Sequence, residues 1–376
     1  VIYQVQATLL SALRLSLRRA TGNDVDTLMY IPGATLRGAM AAAYLESGQV
    51  DEGFRALFLN EQTTYGGLRL DGADVWPLSA RVCKLYEDEH PMQDRLLEAA
   101  AGKAHSRDCS EAGCSAKLDV PKGFARLQRP PGETLARFVW KRPKQSRIAH
   151  SAIHPQLLRA ASGQLFSARS LDEGQVFKGR VSAGEGAAAH LEALIGKGRR
   201  LRLGRSKTRG MGAVSLRLAA RNEFASELEE EIRPRMERMQ KAAAEKGGRL
   251  SGKSVVTVTL QTPASILDDF LMTPAWLDPA DVSLDKAAGW ELAAWFCETT
   301  SISGWHAAAR VPRAEVPAIQ AGSCFAFVKA GEADVEGLTK WAARLELEGV
   351  GERRSEGFGE VVVCHQMHFA PAGEEQ

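Results

Sequence analysis

The chain has 376 residues, 44% of them hydrophobic and 25% charged, and these globular proportions predict two or three domains at ~100 to 200 residues each. No apolar run of about 18 residues is present to span a bilayer, and no signal-peptide pattern is read. The net charge of +2 hides a split: residues 1–219 hold 32 Lys and Arg against 21 Asp and Glu, and residues 220–376 hold 16 against 25. A basic half suits a polyanionic partner, and an acidic half can repel that partner or dock a basic neighbour.

In chain order, residues 3–17 alternate apolar and polar and read as a long strand. Asp24 and Asp26 follow on a polar loop. The run Ile31-Pro32-Gly33-Ala34-Thr35-Leu36-Arg37-Gly38 opens a helix over 33–46, with Leu36, Met40, Ala43 and Tyr44 on one face. Arg37 falls in its first turn, beside unsatisfied N–H groups that attract anions, although a buried carboxylate is an alternative partner for it. Residues 60–160 are too long for one loop and read as an inserted subdomain. A strand is expected over 214–218 and a charged connecting helix over 223–246, split or kinked at Pro234 and stopped at Gly247-Gly248. Beyond it, residues 254–261, 323–329 and 360–364 read as strands, and 290–298 and 333–346 as helices.

Both halves close with the same glycine figure. Gly204, Gly210 and Gly212 have the spacing of Gly351, Gly357 and Gly359, and a β-rich segment follows each triplet. This is an internal repeat, so each half is expected to be one copy of a similar α+β, ferredoxin-like fold.

Residues 196–214 put Lys197, Arg199, Arg200, Arg202, Arg205, Lys207 and Arg209 in a stretch without an acid. Glycines expose backbone N–H groups and arginine forks match phosphate oxygens, which suits a nucleic-acid backbone, with a solvated turn as the plain alternative. In the second copy Glu352, Glu356 and Glu360 cancel Arg353 and Arg354, so its glycines read as structural. Residues 134–171 contain no Asp or Glu and hold Arg137, Lys141, Arg142, Lys144, Arg147, Arg159 and Arg169 with His150 and His154. That composition suits single-stranded RNA or DNA. Phe138 and Trp140, at alternate positions, are expected to face a core rather than bases.

The six cysteines are Cys83, Cys109, Cys114, Cys297, Cys324 and Cys364, too scattered for a disulfide framework, so a reducing cytoplasm is the expected setting. Cys83, His105, Cys109 and Cys114 lie in the insertion with ligand spacing suited to structural zinc, His90 being the spare ligand; ordinary buried thiols are the alternative. No P-loop, nucleophile elbow or HExxH is present. The only catalytic candidates are Asp24 and Asp26, which could bind a metal or orient a 2′-hydroxyl, and His150 and His154 as general acid or base, with solvated or turn-forming loop carboxylates as the alternative.

The combination of IPGATLRGAMAAAYL, SRIAHSAIHPQLLRAASGQLFSARSLDEGQVFKGRV and LGRSKTRGMGAV resembles the RAMP superfamily of CRISPR-associated proteins. With the cysteine-bearing insertion, SGWHAAARVPRAEVPAIQAGSCFAFV and GERRSEGFGEVVV, the chain is similar to the large RAMP subunit of type III-D systems. The resemblance implies ferredoxin-like domains that bind CRISPR RNA, and a cap role in antiviral defence, gripping the five-prime repeat-derived tag beside the large signalling subunit and the backbone RAMP subunits. It implies RNA-facing roles for the 204–212 loop and the 31–38 motif. The candidate RNA contacts are Arg37, Arg142, Lys144, Arg147, Arg205, Lys207, Arg209, Gly210 and Gly212. Backbone subunits of the family cut target RNA with a loop aspartate, for which Asp24 or Asp26 would stand here. The resulting expectation is a non-catalytic RNA-binding subunit, with an endoribonuclease of the same superfamily as the rival.

Overall fold

Strand β1 (Ile2–Leu9) buries Tyr3, Val5, Ala7 and Leu9, the two-residue period that sets one face of a strand against a core. In this computed structural model the described chain excludes residues 16–23, 47, 88, 105, 129–136, 154–159, 222, 269, 307–310 and 370–376; at 24, 137, 150–153, 160–166 and 306 only the backbone is described. After β1 come α1 (Gly33–Leu45), α2 (Glu52–Phe58), β2 (Thr63–Tyr65), β3 (Val176–Ala183), α4 (Glu185–Ile195), β4 (Arg199–Arg202) and β5 (Ala213–Arg221), with α3 (Leu96–Ala100) between β2 and β3. Antiparallel pairing gives the order β4-β5-β1-β3-β2.

The second half repeats this order. Its strands are β6 (Lys253–Leu260), β7 (Glu291–Phe296), β8 (Cys324–Ala330) and β9 (Val361–Val363), antiparallel in the order β7-β8-β6-β9. Counting β5 as the last strand of the first half, both sheets run last-first-third-second. The fold is thus mixed helix and sheet, α+β. Residues 290–298, read from sequence as a helix, form β7: a short apolar run such as Leu-Ala-Ala-Trp-Phe carries no period of its own, and pairing with β8 decides it. The strand read over 3–17 ends at Leu9 and, among the described residues, continues only as an isolated bridge between Leu13 and Leu171; residues 16 and 17 lie outside the described residues.

The second half has no α-helix between its first two strands among the described residues, only the short 3-10 turn Pro279–Val282. Two elements from elsewhere fill its core. Helix α5 (Phe224–Lys246) runs unbroken through Pro234, so the expected split does not occur, and it buries Leu228, Ile232, Met236, Met239 and Ala243. It packs on β6 and on α6 (Val335–Glu348), while α3 packs on β7 and β8 and adds Leu96, Leu97 and Ala100 to the same core. Arg235 on α5 meets Glu346 on α6 at 3.0 Å, both buried, and Glu346 also accepts the Val363 N–H at 2.8 Å.

The insertion is fastened to the second half by polar contacts. Val75 N–H donates to Gln261 at 2.9 Å and Leu78 N–H to the Gly322 carbonyl at 2.7 Å. Buried His368 lies 3.2 Å from Asp94 and 2.8 Å from Thr259, and His365 lies 3.3 Å from Asp74. Burial pushes the Asp94 carboxyl up, but His368, Ser79 and the Leu96 N–H together hold it below the usual range. No described helix is long and apolar enough to cross a membrane.

Removing one partner of the buried Arg235–Glu346 pair strands the other. Glu346→Ala should therefore cost about 3–5 kcal/mol, read as a large fall in denaturation midpoint, whereas Glu348→Ala, on an exposed i,i+4 pair with Arg344, should leave the midpoint nearly unchanged.

Candidate nucleic-acid interface and metal cluster

The two glycine loops have the same backbone. Gly204, Ser206, Gly210 and Gly212 all have positive φ, as do Gly351, Arg353, Gly357 and Gly359. Their hydrogen bonds correspond one for one. Leu203 N–H to Gly212 O (2.8 Å) matches Val350 N–H to Gly359 O (2.9 Å), and Arg205 N–H to Arg14 O (3.0 Å) matches Glu352 N–H to Ser265 O (2.8 Å). A Cβ on Gly212 would lie 2.0 Å from the Leu203 carbonyl oxygen, and one on Gly359 1.9 Å from that of Val350, so glycine is required at both places.

The surroundings of the two loops are opposite. The second loop is pressed onto the first half: a Cβ at Gly357 would lie 2.3 Å from the Tyr65 carbonyl oxygen. Glu360 accepts from Gly67 N–H and from Arg69, each at 3.2 Å, and the burial that surrounds this contact, with the Glu360 charge, pushes the Tyr30 phenol up to about 12. Glu356 takes Arg313 at 2.8 Å and Arg353 at 2.9 Å; burial pushes its carboxyl up, but these two guanidiniums hold it below its ordinary value. Of this loop's two cations, Arg353 is taken by the loop's own Glu356, while Arg354 is exposed.

The first loop is open. Gly210 has no neighbour within 4 Å of a would-be Cβ, and Arg205, Lys207 and Arg209 are exposed. None of these three, nor Arg200 or Arg202, pairs with a carboxylate among the described residues. Behind the loop sits Arg14, only 8% exposed, whose Nε has no hydrogen-bond partner and whose guanidinium has no ion pair among the described residues. Burial and the Arg209 charge both push its pKa down, the signature of a cation kept beside another cation. Sequence reading missed Arg14, because between Leu13 and Leu15 it looks like one polar step of a strand.

The loop adjoins a hairpin. Residues Gln145–Ile153 pair antiparallel with Ala160–Leu171, and Leu13 exchanges backbone hydrogen bonds with Leu171 at 2.8 and 2.9 Å. Arg147 faces Arg169 across the hairpin; Arg147 donates to Ser167 at 2.9 Å, and Arg169 lies 3.8 Å from Asp26, which is exposed. Asp24 lies on a two-residue strand paired parallel to the hairpin at Ser167, and only its backbone is described. The fold therefore brings Asp24, Asp26, Arg147 and Arg169 to one hairpin base. His150 has only its backbone described, and His154 and Arg159 lie outside the described residues.

Other candidates stand apart. Arg37 donates to the Phe58 carbonyl and is half-buried. Arg142 stacks over Trp140 at 4.2 Å and pairs with Glu87 at 2.8 Å, so it belongs to the insertion. Lys144 is exposed, its backbone N–H held by Gln175 at 2.7 Å. Phe138 and Trp140 pack on Trp76, as core residues.

In the insertion, Cys83, His90, Cys109 and Cys114 offer ligand atoms that all lie within 4.8 Å of one another. Cys83 and Cys114 Sγ are 3.8 Å apart, and His90 Nδ1 is 3.3 Å from Cys109 Sγ. His90, read as the spare ligand, is the histidine that the fold brings to the cysteines; His105 lies outside the described residues. Burial pushes the Cys83 thiol up, but the Leu85 and Tyr86 N–H groups with Cys114 and His90 outweigh it and lower it to about 7. Burial pushes Cys109 up, and the neighbouring Cys114 and Cys83 add to this against the Glu111 N–H. Two soft thiols, a third thiol and an imidazole at this closeness could hold a metal. Cys324 and Cys364 are buried elsewhere and pushed up to about 12 by that burial.

The family model described as the RAMP superfamily matches residues 13–215, more than half of the chain. The chain belongs to the RAMP superfamily. The matched span of this RAMP protein includes Arg14, the 204–212 loop and the 145–171 hairpin. No curated protein matches it. Among solved structures it is similar to a chain of the type III-B Cmr-beta complex bound to cognate target RNA and AMPPnP, at 12% identity, 86% of each chain and a TM-score of 0.42. It is also similar to Cmr4 (Cas7) of Pyrococcus furiosus, at 13% identity over 59% of this chain and 100% of that one, with a TM-score of 0.28.

The loop geometry separates two glycines by experiment. Gly210→Ala should cost only the left-handed backbone penalty of about 1–2 kcal/mol. Gly212→Ala must also push the Leu203 carbonyl aside, and thermal or denaturant unfolding should show the larger loss for it.

Proposed function

We propose that this RAMP protein is a CRISPR RNA-binding subunit of a type III, III-D-like interference complex. Its first half grips the five-prime repeat-derived tag, and its partners are the large signalling subunit and the backbone RAMP subunits. In this reading each half is a ferredoxin-like unit: residues 1–219 with the insertion, a connecting helix over 220–250, and an acidic second unit over 251–376. The shared strand order supports that division.

The observation that carries the RNA reading is Arg14. A buried guanidinium with no carboxylate partner among the described residues, held beside Arg209 under an acid-free loop, is costly in isolation and becomes favourable when a phosphate arrives. Positive-φ glycines let the chain approach a sugar-phosphate backbone, and Arg205, Lys207 and Arg209 extend the same charge outward. Single-stranded RNA fits this surface through its phosphates, with Arg147 and the hairpin continuing the track.

The test is Arg14→Met. A structural arginine would lose stability on this change. A phosphate-binding one should leave the denaturation midpoint unchanged or higher, while affinity for a single-stranded CRISPR repeat RNA falls about tenfold. Changing Arg205, Lys207 and Arg209 together to Ala should flatten the salt dependence by about 0.7 unit per lost contact, and changing Arg353 and Arg354 should alter it little. Equal effects from the two loops would contradict the reading.

In this reading the subunit binds RNA without cutting it, and exposed Asp26, 3.8 Å from Arg169, belongs to the hairpin base rather than to a catalytic set. The purified chain with Mg²⁺ should leave repeat RNA and a complementary target intact. Cleavage lost on Asp24→Ala or Asp26→Ala would establish the endoribonuclease instead.

The metal that suits the insertion's cluster is zinc. A tetrahedral site with Zn–S near 2.3 Å places its sulfurs about 3.8 Å apart, the separation found for Cys83 and Cys114. The insertion has only small apolar clusters of its own, so a structural metal would supply folding energy there. Elemental analysis should find about one zinc per chain. Cys109→Ser and His90→Ala should release it, while His105→Ala should not; a metal-free protein with three titratable thiols would contradict the assignment.

A further inference from the structure

The acidic half carries an exposed apolar feature that RNA binding does not use. Phe270, Leu271 and Met272 are 84%, 76% and 65% exposed. They are not a frayed loop. Asp268 closes a tight turn under them: its carboxylate accepts the Phe270 and Met272 N–H groups at 2.9 Å, its carbonyl accepts Leu271 N–H at 2.9 Å, and its own N–H donates to the Met272 carbonyl at 2.9 Å. Leu271 is held at φ +60°, a strained setting for a branched side chain. Thr273 ties the turn's far side to the Pro317 carbonyl at 3.2 Å. Close by in sequence, Trp276 is exposed and lies against exposed Trp295 on edge strand β7.

We propose that this turn is a docking knob for another protein subunit, whose receiving surface is an apolar pocket rimmed by lysine and arginine. Aromatic and methionine side chains presented on a pre-ordered turn bury large apolar area at little entropic cost, as interface anchors do. Charge selects the partner. Residues 262–300 contain seven Asp and Glu and one Lys, and that Lys286 is paired with Asp278. Such a surface repels phosphates and anionic lipid and attracts a basic rim. The internal repeat makes the same point. Ser265 and Arg14 are equivalent, so the segment leaving the first strand carries Arg18 and Arg19 in the first half and Asp268 with Phe270, Leu271 and Met272 in the second. One copy is suited to RNA and the other to protein.

The inference rests on the proposed function only in assuming a multisubunit complex. The full chain, carrying a photo-cross-linking phenylalanine analogue in place of Phe270, is co-expressed with the other type III protein subunits and a guide RNA, then irradiated. The expected product is a cross-link to one other protein subunit, within a peptide holding both apolar and Lys or Arg residues. The double variant Phe270→Ser, Met272→Ser should reduce retention of that subunit about tenfold, while Leu271→Gly, which suits the backbone, preserves the turn. RNA retained by the chain is read in parallel. Loss of RNA with the cross-link intact counts against the RNA reading alone. Cross-linking to RNA or to a second copy of this chain, no cross-link to another protein, or unchanged retention by the double variant would overturn the knob.

Discussion

The seating of the second glycine loop on the first half is the contact on which the rest depends. It is made mostly of backbone: Gly357 lies against the Tyr65 carbonyl, and Glu360 accepts from the Gly67 N–H as well as from Arg69. Backbone groups that close tolerate no side chain at the glycine and no unpaired charge between them, so the loop must be both glycine-rich and self-neutralised. Glu356, Arg313 and Arg353 supply the neutralisation. The twin loop, with the same dihedral angles, meets none of these constraints. It keeps its cations exposed and, beneath them, an arginine with no ion pair among the described residues. Duplication of one backbone figure has thus produced an internal fastener and an outward-facing anion surface.

The insertion answers a different need. Among the described residues the second half lacks an α-helix after its first strand, and an incomplete layer would leave β-strand faces wet. Helix α5 and the short α3 complete the layer, and α3 is held by a polar network through Asp94, His368 and Thr259. Because the insertion spends its apolar residues on its neighbour, little remains for itself. A metal held by the four-residue Cys and His cluster would order such a segment, since it would replace missing hydrophobic area.

Much of this was legible in the sequence, where backbone geometry dictates residue type. The repeated glycine triplet signals its positive-φ loop directly, and α5 is readable from Leu228, Ile232 and Met236. The run Glu291–Phe296 was misread as helix, because a short apolar segment takes its form from its neighbours. The choice between His90 and His105 could not be made from spacing, as both stand at plausible distances from Cys109. Arg14 was invisible for a deeper reason: its meaning lies in its burial beside Arg209 with no carboxylate partner among the described residues, and sequence does not show which groups meet in three dimensions. Glu352, Glu356 and Glu360 cancel Arg353 and Arg354 in the sequence itself, and the structural role this gives the second loop's glycines agrees with its docked state.

The central claim is that one loop of a duplicated pair meets RNA and the other does not. Ultraviolet cross-linking of the chain to a bound single-stranded CRISPR repeat RNA, followed by mass spectrometry of the attached peptides, addresses it without any substitution. The account predicts adducts in residues 197–213 and in the 145–171 hairpin, and none in residues 351–360. Adducts concentrated in 351–360, or absent from 197–213 while RNA remains bound, would contradict it.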